Sequence, residues 1–254
     1  MRAVPLTVAL LSDRSIEVKA YIEFLRVAVE RRATITATDG ALVLELSQEL
    51  THTLKANLVL LLYSAMEATL IQLLDEMHDA IKTNCTSVDA LNAQLLRVVL
   101  RTVKRDQYGK VLSSVSPLHT SLFEFWINDW KDRTSGKDKR VDGISGSVDS
   151  LVFYQQLKKF GVVAPTENDR PPKHLTDQAL QKVKNKRNEL AHGEKSFTDL
   201  GRDLAVEDLE SYSSAVFGNL KKIANEVDTY LCDRRYLAPP PALTATPVPA
   251  DTEA

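Results

Sequence analysis

Apolar residues recur every three to four positions along most of the chain, with charged residues between them. This spacing is typical of helices that bury one face. Helices of this kind are predicted over residues 13–32, 48–82, 87–104, 147–160, 176–192 and 206–232. Ser147 or Asp149 is the expected N-cap of the fourth helix, and Gly161 and Gly193 stand where glycine commonly ends a helix.

The helix predicted over residues 48–82 is the most apolar of them. From Ala56 to Leu74 its only formal charge is Glu67. A membrane span needs ~20 mainly apolar residues, and a carboxylate in the middle of a bilayer is costly. We therefore expect the core helix of a bundle, apolar on every face, rather than a membrane span.

Three segments depart from the helical spacing. Residues 34–46 place Asp39-Gly40 between two runs of β-branched and aliphatic residues, which predicts a small β-hairpin; alternatively, the second arm runs straight into the next helix. Residues 118–130 are aromatic-rich and form either a helix or a packed loop. Residues 132–146 are rich in Lys, Asp, Gly and Ser, which predicts a loop.

Composition fits one globular domain with a short tail. The chain has 254 residues, of which 44% are hydrophobic and 26% charged, enough for a substantial core. Residues 238–254 consist mainly of Pro, Ala and Thr, and such a segment does not build a core. We predict a single domain over residues 1–237 and a disordered tail after it. We read no secretion signal at the start, so the cytoplasm is the expected compartment.

The distribution of charge and of metal-ligating residues limits the classes of function that the chain can have. The net charge is -2 at pH 7, so no global basic field indicates a nucleic-acid binder. Residues 97–140 nevertheless hold ten basic against five acidic residues, and residues 158–187 hold eight against three. These stretches either bind a polyanion or are solvated surface. The two cysteines and five histidines show no metal-ligand spacing, and no Gly-rich phosphate loop is present, so no metal or cofactor is predicted.

The helix ending near residue 192 carries an arginine in its apolar seam. Leu180, Val183 and Leu190 follow the seam, and Arg187 occupies the position where the pattern requires another core residue. A buried guanidinium needs a paired carboxylate or an anionic ligand. Such departures from local rules tend to mark functional sites. The alternative is that Arg187 forms half of a structural salt bridge.

Lys184, Asn188 and His192 form the adjacent stripe at four-residue spacing. Five residues place Arg187 and His192 about 140° apart on a regular helix. Either the last turn distorts, or the two residues face a shared groove from its sides, as a symmetric dimer could supply. A histidine moves protons near neutral pH, an arginine holds a phosphate in a fork, and an asparagine positions either. This set suits RNA cleavage without a metal, although His192 could instead be a C-terminal cap.

The segment Lys186-Arg187-Asn188-Glu189-Leu190-Ala191-His192-Gly193 resembles the Arg-x4-His signature of the HEPN superfamily of helical ribonucleases. Three further segments carry the resemblance to a prokaryotic HEPN-like nuclease group of toxin and phage-defence genes. They are residues 55–69, 145–161 and 196–202, and the likeness covers roughly residues 12–232 in order.

The resemblance implies an all-α HEPN-like bundle with a long central helix. It implies a homodimer whose two motifs form one composite cleft, and a metal-independent endoribonuclease of toxin or phage-defence type. Arg187 and His192 are the matching catalytic residues, and Asn188 matches the polar position after the arginine. The expected partners are RNA, with tRNA anticodon loops as the first guess, and an antitoxin or regulatory protein from a neighbouring gene. The alternative is a non-catalytic HEPN-type interaction module or antitoxin partner.

Glu67 and Lys184 are the expected supporting residues. Because Glu67 is the only charge within the apolar part of the central helix, it also needs a partner. We hypothesise that Glu67 pairs with Arg187 and orients it. The alternative is that Glu67 binds a backbone group or a different basic residue.

Overall fold

The computed structural model describes residues 3–30, 34–103, 111, 116–135, 144, 148–168, 170–173, 175–176 and 178–239. Within these residues the chain forms eight α-helices, one 3-10 turn and one two-stranded sheet, which confirms the all-α prediction. In chain order these are α1 (Pro5–Glu30), β1 (Thr34–Thr36), β2 (Leu42–Glu45), α2 (Gln48–Asn84), the 3-10 turn (Val88–Ala90), α3 (Ala93–Thr102), α4 (Leu118–Ser135), α5 (Ser150–Phe160), α6 (Gln178–Ala191), α7 (Phe197–Arg202) and α8 (Val206–Cys232).

Helix α2 is the centre of the bundle. It has 37 residues and is flanked by the N-cap Ser47, whose Oγ accepts the Leu50 N–H, and by the C-cap Cys85. It packs against α1, α4, α6, α7 and α8. By length and composition α2 passes as a membrane span, but 56% of its most apolar window is buried inside the protein. The structure therefore agrees with the prediction of a core helix.

Helix α1 begins eight residues before the predicted start at residue 13. Pro5 stands in its first turn, where a missing N–H costs nothing. The buried Glu76 of α2 accepts the N–H groups of Leu6 at 2.7 Å and Thr7 at 2.9 Å, and Asp228 of α8 accepts the N–H of Ala3 at 2.6 Å. These caps lie 69 to 225 positions away in sequence, so local patterning could not reveal them.

The β-hairpin predicted over residues 34–46 is present. Strands β1 and β2 are antiparallel, with Thr34 opposite Glu45 and a bulge after Ile35. The turn holds Gly40 at φ 83°, a left-handed conformation that glycine adopts without strain. The second arm therefore ends before α2 begins, and the alternative of a continuous helix is wrong.

In the middle of the chain, the structure corrects two predicted helix boundaries. The helix predicted over residues 87–104 is divided, because Asn92 caps a new helix by accepting the Leu95 N–H at 2.9 Å. The aromatic segment predicted as a helix or packed loop is helix α4, which continues to Ser135 and so removes four residues from the predicted loop. The rest of that loop lies outside the described residues, except Ile144.

Helices α5 and α6 frame the region of interest. Asp149 is the N-cap of α5, and Gly161 ends it in a left-handed conformation at φ 78°, both as predicted.

Helix α8 has the predicted bounds of residues 206–232. In the segment predicted as a tail, the N–H of Ala238 still donates to Ala90 O at 2.9 Å, and residues 240–254 lie outside the described part.

Candidate active site

The motif helix α6 buries the predicted seam. Leu180 and Val183 are almost fully buried, and Leu190 packs against the core from a partly buried position. Arg187 is also partly buried, so its guanidinium lies at the margin between the core and solvent. The arginine thus occupies a seam position at the point where the seam meets the surface.

The ring of Tyr63, on α2, lies beneath the Arg187 guanidinium. The distance from Arg187 Cζ to the ring centroid is 4.8 Å, within the range of a cation–π contact. Arg187 Nη1 also donates to Asn188 Oδ1 at 3.3 Å. The structure therefore brings Arg187 and Asn188 together, and it adds a third residue that the sequence interpretation did not include.

The Tyr63 hydroxyl is held from two sides. It donates to Glu67 Oε1 at 3.1 Å and accepts the Val148 N–H at 3.0 Å. Burial raises the pKa of Tyr63 to about 12, and the Glu67 carboxylate adds to the rise. The hydroxyl consequently stays protonated near neutral pH and remains a donor to Glu67.

The prediction that Glu67 pairs directly with Arg187 is wrong. Both residues belong to the described part of the chain, and no ion pair joins them there; Glu67 instead accepts the hydroxyl of Tyr63. The physical reason is position, since the Tyr63 ring lies beneath the guanidinium. Among the described residues, Glu67 is therefore connected to Arg187 through the tyrosine.

Lys184, the other supporting residue, lies in an ion pair. Its Nζ is 2.7 Å from Asp149 Oδ2, and the side chains are 19% and 6% exposed respectively. Asp149 Oδ1 at the same time accepts the Val152 N–H at 3.0 Å. Lys184 thus attaches the motif helix to the start of α5.

His192 is exposed at the end of α6. Its N–H still donates to Asn188 O at 2.9 Å, while Glu194 N–H donates to Glu189 O at 2.9 Å and Gly193, at φ 70°, supplies the left-handed residue of a Schellman motif. Backbone groups therefore close the helix. Among the described residues, no hydrogen bond or ion pair involves the His192 imidazole, so the side chain itself is not the cap.

Within one copy of the chain, α6 turns its two motif side chains to different surroundings. Arg187 lies against α2 through Tyr63, and His192 lies in solvent beyond the last helical turn. The helix ends regularly, so no distorted last turn brings them onto one face. The distorted last turn is therefore wrong, and the shared groove approached from its sides stays a prediction.

Tyr63 and Asp149 are the residues of this region that the sequence interpretation missed as site residues. Tyr63 precedes Glu67 by one helical turn in a mainly apolar stretch, and this spacing was the available signal. Nothing in the sequence indicated which helix α2 would face at that position. The partner of Lys184 was equally hidden, because Asp149 lies 35 positions away.

A family model described as HEPN_MAE_28990-like HEPN matches residues 9–236 of the chain. The chain belongs to this HEPN family. Membership indicates a nuclease-type or RNA-related function, and HEPN domains commonly bind RNA and form dimers. No curated protein and no solved structure matches the chain.

Proposed function

We propose that this HEPN protein is a metal-independent endoribonuclease, acting as a toxin or phage-defence effector, with Arg187, Asn188 and His192 in its catalytic site. One observation carries the proposal. Arg187 is held against the Tyr63 ring at the margin of the core, while the same helix ends in an exposed His192 whose imidazole is not engaged among the described residues.

The proposed reaction uses the 2′-hydroxyl of RNA as the nucleophile. His192 removes the proton from this hydroxyl, the oxygen attacks the adjacent phosphate, and the bond from phosphorus to the 5′-oxygen breaks. The leaving oxygen takes up a proton from a histidine, and the products carry a 2′,3′-cyclic phosphate and a 5′-hydroxyl. Arg187 holds the phosphate oxygens in its fork and stabilises the charge that builds on them.

Asn188 has a positioning role in this reaction. Its Oδ1 accepts from Arg187 Nη1, which fixes one edge of the guanidinium. Its backbone carbonyl accepts the N–H of His192, which ties the histidine to the same helical turn. Asn188 therefore contacts the side chain of Arg187 and the backbone of His192, without needing to reach the phosphate itself.

The site is proposed to be completed by a second copy of the chain. Arg187 and His192 face different surroundings within one copy, so a cleft between two α6 helices would bring the arginine of one copy to the histidine of the other. Mixing Arg187→Ala with His192→Ala subunits tests this arrangement. Recovery of cleavage in the mixture supports a composite cleft, and no recovery after verified subunit exchange contradicts it.

The main experiment incubates total RNA with purified wild type, His192→Ala and Arg187→Ala in excess chelator. His119→Ala is the matched control, because His119 is also exposed but lies on α4. Wild type and control should give discrete fragments ending in cyclic phosphate, and the two motif variants should give none. Oligomers with 2′-O-methyl groups should resist cleavage, because they lack the nucleophile.

The outcomes separate the proposal from its alternative. Cleavage that persists in His192→Ala, or that requires a divalent metal, contradicts the proposed chemistry. If no variant cleaves but the protein still dimerises and binds RNA or a partner protein, the non-catalytic interaction module is the better account. Addition of lysate from phage-infected cells tests whether an activating factor is needed.

A further inference from the structure

We propose that Tyr63 is the positioning residue of the cleavage site: its ring is the platform that fixes the Arg187 guanidinium, and Glu67 together with the Val148 N–H fixes the ring. This inference rests on the proposed ribonuclease function. Tyr63 does not touch RNA in this scheme, and it acts only through Arg187.

An arginine that must hold a phosphate has a positioning problem. Its side chain has four rotatable bonds, and a displacement of about 1 Å at a catalytic group can cost roughly 100-fold in rate. Arg187 is partly buried, and it contacts Tyr63 and Asn188. The Tyr63 ring face, 4.8 Å from Cζ, supplies a flat attractive surface that matches the planar guanidinium.

The platform is itself rigid. Tyr63 is 3% exposed, and it lies within the buried middle of α2. Its hydroxyl is fixed by the Glu67 carboxylate one turn further along α2 and by the Val148 N–H, which precedes α5. Two elements, α2 and the segment before α5, therefore determine where the ring lies, and the ring supports one face of the Arg187 guanidinium.

An ordinary core residue would not do the same. An aliphatic side chain such as leucine fills a similar helical position, but it has no negative ring face to offset the removal of a cation from water. The hydroxyl of Tyr63 also gives a hydrogen-bond partner to Glu67, the only formal charge in the apolar part of α2. Glu67 acts on the tyrosine, and through it on Arg187.

The test compares Tyr63→Leu, which removes the ring, with Tyr63→Phe, which keeps the ring and removes the hydroxyl. Tyr63→Leu should lower kcat roughly 10- to 100-fold while KM changes less than about threefold, since the displaced arginine acts mainly in the transition state. Tyr63→Phe loses the hydroxyl bonds to Glu67 and Val148 but keeps the buried ring, so it should melt at a lower temperature than wild type and lose kcat by no more than about threefold. Tyr63→Met is a second ring-free variant if the leucine variant does not fold.

Tyr212→Leu is the matched control. Tyr212 lies on α8 and carries Lys182 of the same motif helix over its ring at 5.8 Å, but Lys182 is outside the proposed site. Its loss should leave kcat unchanged. If Tyr63→Leu cleaves like wild type, or if Tyr63→Phe loses as much kcat as Tyr63→Leu, the platform role is overturned.

A second readout does not depend on activity. In NMR spectra of arginine-labelled protein, the Arg187 Nε–Hε signal is assigned by its loss in Arg187→Lys. The Tyr63 ring current should shift this signal upfield in the wild type. The shift should be lost in Tyr63→Leu but not in Tyr212→Leu. No upfield shift in the wild type overturns the inference. If wild type does not cleave RNA but shows the shift and its loss, the ribonuclease proposal fails while the platform stands.

Discussion

The Lys184 ammonium on α6 lies 2.7 Å from the same Asp149 carboxylate that caps α5. Lys184 precedes Arg187 by one helical turn, and Asp149 follows Val148, whose N–H holds Tyr63. Two consecutive residues at the start of α5 therefore contact both the motif helix and the platform beneath its arginine. The segment that leads into α5 is thus joined to the proposed site on two sides.

Asp149→Asn should destabilise the fold. Asparagine caps a helix about as well as aspartate, so the cap of α5 is kept while the charge is lost. Lys184 is then left as an uncompensated cation in a largely dehydrated place, which costs about 2–4 kcal/mol in the free energy of unfolding. Denaturant unfolding at pH 7 measures this loss.

Lys184→Met provides the control for that measurement. Lys184→Met removes the ammonium that Asp149→Asn leaves unpaired. The double variant should therefore be more stable than Asp149→Asn alone, and a double-mutant cycle should give a clear coupling energy between the two positions. Asp208→Asn, at the exposed first turn of α8, should have little effect. Additive effects of the two substitutions would show that the ion pair contributes nothing.

His192→Ala should separate activity from stability. The side chain is exposed, and backbone bonds rather than the imidazole end α6, so the free energy of unfolding should change by no more than about 0.5 kcal/mol. Cleavage should fall roughly 100- to 10,000-fold, as expected for loss of a general acid–base. Thermal melts and cleavage assays on the same preparation test both. A variant that unfolds would support a structural role for the side chain.

The motif and the helices around it were predictable because they depend on local sequence. Residues 206–232, the cap at Asp149 and the stop at Gly161 all follow from spacing and helix-end chemistry. The start of α1 was missed although Pro5 offered a local signal for it, because the side chain that caps this helix, Glu76, lies on another helix. The same limit applies to the site: Arg187 was visible as an anomaly on its own helix, but its contact with Tyr63 depends on how two helices pack.

Stability should fall as the pH drops from about 6.5 to about 4, because of His78. This imidazole is 3% exposed, stacks on Trp130 with ring centroids 4.3 Å apart, and is hydrogen-bonded to Leu74 O at 2.7 Å. Burial lowers the pKa of His78 to about 4, and the hydrogen bond to Leu74 only partly offsets this. Between these pH values the unfolded chain binds a proton that the folded chain does not.

The sign follows from proton linkage. The contribution of neutral His78 is fully present above pH 6.5 and is lost progressively down to pH 4, for a total on the order of 3 kcal/mol. His78→Phe keeps an aromatic ring against Trp130 and cannot titrate. The difference between the wild-type and variant stability curves should therefore slope over pH 4–6.5 and be flat above it. A flat difference over the acid range would contradict the buried neutral histidine.

Gly201→Ala should prevent the normal contact between α7 and α2. A Cβ at Gly201 would overlap the backbone oxygen of His52, and a backbone atom on the central helix moves less readily than a side chain. We expect a loss of about 3 kcal/mol or more in the free energy of unfolding.

Gly218→Ala on α8 is the matched control, because a Cβ there meets nothing within 4 Å. It should stabilise the protein by about 0.5–1 kcal/mol through helix propensity. Equal effects of the two substitutions in denaturant titrations would contradict the close approach of α7 to α2.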